Sequence, residues 1–381
     1  MRDRAAVVGI GQTRFAKVLE GRTELDMACE AVVNALDDAG IDPSEVDGTS
    51  SYTLETTEEF DLARTVGFGD LTFFSRIGYG GGAGCATIAH AAMAIATGQA
   101  NVVVCWRSRK RGGGRRPWAG QRPIVSGHWQ WSRPFGLARP VDEIAMLTRR
   151  YMHEYGATRD HLANVALAAR RHANRNPHAV MADREMTRDQ YMGARWISEP
   201  LCLFDSCLET DGAAAVAVTS AERAADTPHR PAYIHAAAQG MHPQHQTMTN
   251  FFCDDPLRGP AWSAASLLWR QAEVGPADVD VAQLYDAFSP LILLSLEGYG
   301  FCERGEGGPF TDGGAIEVGG RLPVNTSGAG MSEVYLHGFN LINEGVRQIR
   351  GTSTSQVEGA EVSLVTSGEG VPTSAALFVG K

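Results

Sequence analysis

Residues Gly80–Trp106 read GGGAGCATIAHAAMAIATGQANVVVCW. Glycines open the stretch as a turn, and small residues from Gly84 to Ala96 predict a helix that ends near Gly98. The apolar run Val102 to Cys105 then predicts a buried strand. A helix almost free of large side chains buries little area unless backbones approach it closely on several sides. This one is therefore expected at the centre of a layered molecule. Its N-terminus, at Gly81 to Cys85, is expected to turn unpaired amides toward a bound anion or a developing oxyanion.

The same pattern returns in the second half. NTSGAGMSEVYLHGFNLINEGVRQIRG (Asn325–Gly351) is again a glycine-rich turn and a helix, followed by the strand-like AEVSLVT (Ala360–Thr366). Upstream, IDPSEVDGTSSYT (Ile41–Thr53) and VGPADVDVAQLYD (Val274–Asp286) share Pro43/Pro276, Val46/Val279 and Asp47/Asp280. One constant offset across pattern and spacing points to an internal duplication. Helices are expected over Glu24–Ala39 and about Ala264–Gln271. Each half closes on a further strand, GAAAVAVTS (Gly212–Ser220) and TSAALFVG (Thr373–Gly380). Two such halves imply stacked mixed sheets with helices between and outside them. The polar, helical stretch from Arg107 to Pro200 reads as an insertion lying over one half.

Composition narrows the function. The chain has 43 glycines in 381 residues, well above the roughly 7% that is usual, and 44% hydrophobic against 20% charged residues, which excludes disorder. Seven widely spaced cysteines with no CxxC pair speak against a disulfide scaffold and a zinc ribbon, and read as reduced thiols of a cytoplasmic protein. The HPQH stretch (His242, His245) is interrupted by Pro243 and reads as a loop, so no metal site is expected. A net charge of −10 argues against nucleic acid as a partner. No apolar run approaches a membrane span, and the N-terminus lacks a signal-peptide pattern. The exception in charge is Arg107, Arg109, Lys110, Arg111, Arg115 and Arg116, which form either a solvated surface or a site for phosphates or a partner protein.

These residues resemble the thiolase superfamily, especially the sterol-carrier-protein and lipid-transfer type. The resemblance covers essentially the whole chain. It implies an α/β thiolase fold, with duplicated βαβαβαββ halves forming a layered α-β-α-β-α sandwich and a loop-domain insertion. Residues 1–106 and 201–225 would form the N-terminal half, 107–200 the loop domain and 226–381 the C-terminal half. The nucleophilic Cys of the family falls on Gly81, within Gly81-Gly82-Ala83-Gly84. The N-E-A-F or H-D-C-F box becomes Tyr285-Asp286-Ala287-Phe288, and the His of the G-H-P box becomes Tyr335. The C-terminal Cys-x-Gly becomes Ser367-Gly368. With no thiol at either cysteine position, acyl-enzyme chemistry is not supported.

The altered motifs are similar to those of thiolase-like aldolases of bacterial steroid side-chain catabolism. That likeness implies retro-aldol cleavage of a CoA thioester to a 17-ketosteroid and propionyl-CoA. Tyr285 and Tyr335 would be the base and acid. Gly81, Gly82, Asp286, His337, Ser367 and Gly368 would support them or form an oxyanion site. Arg107, Arg109, Arg111 and His128 would bind substrate. No cofactor is implied beyond the CoA carried by the substrate. The likeness further implies an OB-fold partner joined to a hydratase-like subunit, and a homodimer that makes a heterotetramer with that partner. The competing readings are a non-catalytic acyl-CoA or lipid carrier and a degenerate thiolase acyltransferase using Cys85. Tyr285 and Tyr335 also have an ordinary reading as packing aromatics.

Overall fold

The computed structural model describes residues 2–113, 125–245, 248 and 251–380. Strand β1 (Ala5–Gln12) leads through α1 (Glu24–Ala39), β2 (Gly48–Tyr52), α2 (Glu59–Val66), β3 (Phe73–Ile77) and α3 (Gly84–Ala96) to β4 (Val102–Lys110). Next come α4 (Pro140–Tyr155), α5 (Arg159–Ala173), α6 (Arg188–Met192) and the short strands β5 (Trp196–Ser198) and β6 (Leu201–Cys202). Strand β7 (Asp211–Ser220) and the short helix α7 (Ala221–Ala224) end the first half. The second half runs β8 (Ala232–Gly240), α8 (Ala261–Ala272), β9 (Val281–Gln283), α9 (Ser289–Gly298), α10 (Gly307–Phe310), α11 (Phe339–Arg350), β10 (Val362–Ser367) and β11 (Thr373–Val379).

The main strands lie in the order β3-β2-β4-β7-β1-β8-β11-β10-β9. The two halves meet where Ala6 and Val7 pair with Tyr233 and Ala232, so the two leaves form one continuous sheet. The β3 counterpart in the second half is reduced to a single bridge between Val324 and Ala282.

Three apolar clusters separate the expected five layers. Helix α1 covers the outer face of the first leaf, against Ala6, Val8, Val104 and Ala215. Helices α3 and α11 fill the space between the leaves, and α5, α8 and α9 cover the outer face of the second. Ten of the thirteen α3 residues are buried, as a central small-residue helix requires. Close approach also explains the small residues of β1: a Cβ on Gly9 or Gly11 would lie 1.9 or 2.0 Å from the carbonyl oxygen of Ala35 or Ala31 on α1. Helix α1 starts at a Thr23 cap and stops at Gly40, whose φ of 65° suits glycine. Helix α8 begins three residues before the expected start. Strand β4 extends beyond Cys105 to Lys110, so Arg107 and Arg109 belong to the sheet, paired with Ala214 and Gly212 of β7.

The duplicated Asp residues do the same work in both halves. Asp47 accepts the amides of Asn101 and Val102 at the start of β4 (2.8 and 2.9 Å), and Asp280 accepts those of Glu361 and Val362 at the start of β10 (2.8 and 2.9 Å). Pro43 and Pro276 each open the short 3-10 turn before the Asp, and Val46 and Val279 pack inward. Asp47→Ala and Asp280→Ala should each lower stability by about 1–3 kcal/mol, the usual value of charged hydrogen bonds. Unfolding midpoints would measure this, and unchanged midpoints would contradict it.

Candidate active site

The site is built where the second leaf ends. The chain leaves β9 with Leu284 donating to Asn325 Oδ1 (2.7 Å) and Tyr285 donating its amide to Thr366 Oγ1 (2.9 Å). These bonds fix the backbone that carries the Tyr285 ring. Asp286 turns the other way and accepts the amides of Gly330 and Met331 (2.8 and 2.9 Å). It thereby holds the π-turn Ala329–Glu333 that delivers Tyr335, whose own amide donates to Thr210 Oγ1 (3.1 Å).

The two phenols, both buried, meet with their oxygens 2.5 Å apart. They lie directly over the glycine turn: a Cβ on Gly81 would stand 2.3 Å from the Tyr285 hydroxyl. The family's nucleophile position is thus filled by a phenol from the other half. Burial raises both phenols above their ordinary range. The hydrogen bond from Tyr335 favours ionisation of Tyr285, whereas Tyr285 raises Tyr335 further and Arg111 opposes that rise. Burial also raises Asp286, to about 7.

The phenols open on a cavity of about 1510 Å³, which is also lined by Gly80, Gly81, His337, Cys207 and Thr210. Part of its wall is apolar, with Met186, Ile197, Leu203 and Phe204. Seven cations also line it, namely Arg14, Lys17, Arg111, Arg139, Arg170, Arg184 and Arg195, against Glu209 as the one carboxylate among the described residues. Such a wall suits a large apolar body joined to a phosphate-bearing group.

The structure brings Tyr285, Tyr335, Gly81, His337 and Arg111 together at the cavity. It places the other expected residues elsewhere. The Gly82 amide is used within the turn, donating to Tyr79 (3.1 Å). Ser367 Oγ accepts the Cys85 amide, and Ser374 Oγ the Ala86 amide, each at 3.0 Å. The first turn of α3 is therefore capped from β10 and β11 at Cys85 and Ala86, so these two amides do not face a ligand. Gly368 packs on Gly82, where a Cβ would come within 2.7 Å of the Gly82 Cα. Arg107 is fully buried behind His337, and Arg109 turns to Glu24 (3.8 Å), so neither lines the cavity. The His128 side chain, with Arg115 and Arg116, lies outside the described residues.

Cys85 is fully buried, bonded to Ser367 and the Val365 carbonyl, and burial pushes its thiol up to about 12. It is neither ionised nor on the cavity wall, which removes it as a shifted nucleophile. Sequence reasoning passed over Cys207 and Thr210. Their one signal was their place just before β7, beside the strand end that reaches the site. Glu55, which holds Arg107, carried no signal at all. No group of three or more His, Cys, Asp or Glu side chains is placed to hold a metal among the described residues. All seven cysteines are free.

A five-layer duplicated fold, with two phenols of the second half lying over a glycine turn of the first, defines a thiolase-type protein, and the model for thiolase C-terminal domain-like sequences matches residues 241–380. The chain belongs to the thiolase superfamily, in the group that contains the steroid side-chain-cleaving aldolases. It is 48% identical to the 17-hydroxy-3-oxo-4-pregnene-20-carboxyl-CoA lyase of Mycobacterium tuberculosis, over 97% of each chain. It is 47% identical to the steroid side-chain-cleaving aldolase of Thermomonospora curvata, over 97% of this chain and 96% of that one. Among solved structures, the Ltp2-ChsH2(DUF35) aldolase superposes with a TM-score of 0.95 at 46% identity, covering 100% of this chain and 98% of that one.

Gly81→Ala should displace the Tyr285 hydroxyl and lower turnover by roughly 100-fold, the effect of an ångström-scale misplacement. Gly78→Ala, where a Cβ meets nothing within 4 Å, is the control. Similar turnover in the two variants would contradict the placement.

Proposed function

We propose that the protein is a CoA-thioester-dependent aldolase that cleaves a steroid side chain without a covalent intermediate. The observation that carries this reading is the pair of phenols 2.5 Å apart over a glycine at the nucleophile position. The substrate class is a thioester bearing a tertiary β-hydroxyl. One phenol, as phenolate, takes the hydroxyl proton. The bond between the carbinol carbon and the thioester α-carbon breaks, the oxygen becomes the carbonyl of a 17-ketosteroid, and the bonding electrons pass into a thioester enolate. The second phenol protonates the enolate carbon to give propionyl-CoA. One phenol has then gained a proton and the other has lost one, so transfer across the short bond restores the starting state.

The apolar and cationic parts of the wall support a steroid body and CoA phosphates as the two ends of the ligand. A partner with an OB fold, attached to a hydratase-like subunit, belongs to the same reading, and the name of the Ltp2-ChsH2(DUF35) structure supports a DUF35 partner component. So does a homodimer, supported by the edge position of β3 and by Phe74 on it, which is 70% exposed. Seven free thiols support a cytoplasmic setting, and no helix among the described residues is long and apolar enough to cross a membrane.

Purified with its partner, the protein should release propionyl-CoA from a 17-hydroxy-steroid-20-carboxyl-CoA. Tyr285→Phe and Tyr335→Phe should each lower kcat by roughly 100-fold or more, as loss of a general acid or base does. Full turnover in both variants would overturn the site, and tight binding without cleavage would favour a carrier. The base must be ionised and burial raises both phenols. Log kcat should therefore rise with pH at a slope near one over about pH 7–9. A flat or falling profile would contradict phenolate catalysis.

A further inference from the structure

His337 enters the cavity wall with a left-handed backbone (φ 54°), immediately before Gly338 (φ 91°). Behind it, the fully buried Arg107 places Nη2 3.1 Å from His337 Nδ1. A guanidinium has donors and no lone pair to offer, so Nδ1 is the acceptor and the ring proton sits on Nε2. Nε2 bonds to no described residue, and it does not count among the sealed, unpartnered polar atoms. It is the ring's one free donor, on a side chain that forms part of the cavity wall.

Arg107 is itself held on three sides. Nη1 donates to the Leu54 carbonyl and to Glu55 Oε2 (3.2 Å), and the guanidinium lies over the Tyr52 ring at 4.9 Å. The charged and titratable groups around His337 are Arg107, Arg109 and Arg111, with Tyr52 (6.2 Å between centroids) and Tyr335 (5.0 Å, edge to face). The nearby carboxylate, Glu55, is occupied by Arg107 and by the Thr57 and Ser108 amides. Burial first, then the three arginines, keeps the ring from taking a second proton.

We propose that Arg107 is a positioning residue that fixes His337 as a neutral Nε2–H donor, aimed into the cavity to receive the thioester oxygen as negative charge gathers there. The proton's location follows from the geometry alone, whereas its use by a thioester rests on the aldolase reading. A neutral donor stabilises the enolate oxygen without giving up its proton, which leaves the proton transfers to the phenols.

The test is ring-nitrogen NMR of the ¹⁵N-histidine-labelled protein, with the His337 signals identified by their loss in His337→Gln. The expected spectrum has Nδ1 bare and Nε2 protonated, unchanged over about pH 6–9, where a free imidazole titrates at the acid end. A proton on Nδ1, or a titrating ring, overturns the proposal. In kinetics, Arg107→Met should lower kcat by roughly tenfold or more with KM nearly unchanged, yet change little when added to His337→Gln, whose amide donates without help. Equal losses in both backgrounds would overturn the positioning role. If Arg107→Met does not fold, Arg107→Met/Glu55→Gln removes the stranded carboxylate, and the wild-type spectrum decides in any case. The expected spectrum in a protein that cleaves no β-hydroxyacyl-CoA overturns the use by a thioester and leaves the positioning role standing.

Discussion

The Tyr285 hydroxyl occupies the space that any side chain at position 81 would need. A Cβ there would stand 2.3 Å from the phenol oxygen, so a nucleophile on the turn and a phenol over it exclude one another. Much of the second leaf serves that one contact. Thr366 and Thr210 anchor the backbones of the two tyrosines, and Asp286 ties one tyrosine's segment to the turn that carries the other. The 2.5 Å separation of the phenols is the product of those anchors.

The same replacement reassigns the neighbouring parts. With the first amides of α3 capped by Ser367 and Ser374, the central helix is a scaffold rather than an anion site. The positive charge near the reacting groups comes instead from arginines in and just past β4, with Arg111 on the wall and Arg107 one layer behind it. Two buried phenols in an apolar setting do not ionise readily, and a nearby guanidinium together with a short hydrogen bond offsets part of that penalty.

Much of this was legible in the chain. The Pro-x-x-Val-Asp repeat marked the duplication because each residue has a local job: Pro opens a turn, Val fills the core, and Asp caps the next strand's amides. Gly81, Tyr285 and Tyr335 were legible because a residue of the wrong chemistry stood in each family box. The partners were not legible. Arg107 meets His337 across 230 residues, and Ser374 reaches Ala86 across 288. Local sequence carries no signal for contacts that only the stacking of the two halves creates. By sequence the arginine-rich stretch falls in the loop-domain insertion, yet its first part is strand, and its side chains divide between core, α1 and cavity.

The central claim is that carbon–carbon cleavage proceeds by proton transfer between phenols with no bond to the enzyme. Rapid-quench intact-protein mass spectrometry during turnover of a 17-hydroxy-steroid-20-carboxyl-CoA tests it most directly. The account predicts an unmodified protein mass at every time point while propionyl-CoA accumulates. A transient acyl adduct on the protein, formed and lost at the rate of turnover, would contradict it.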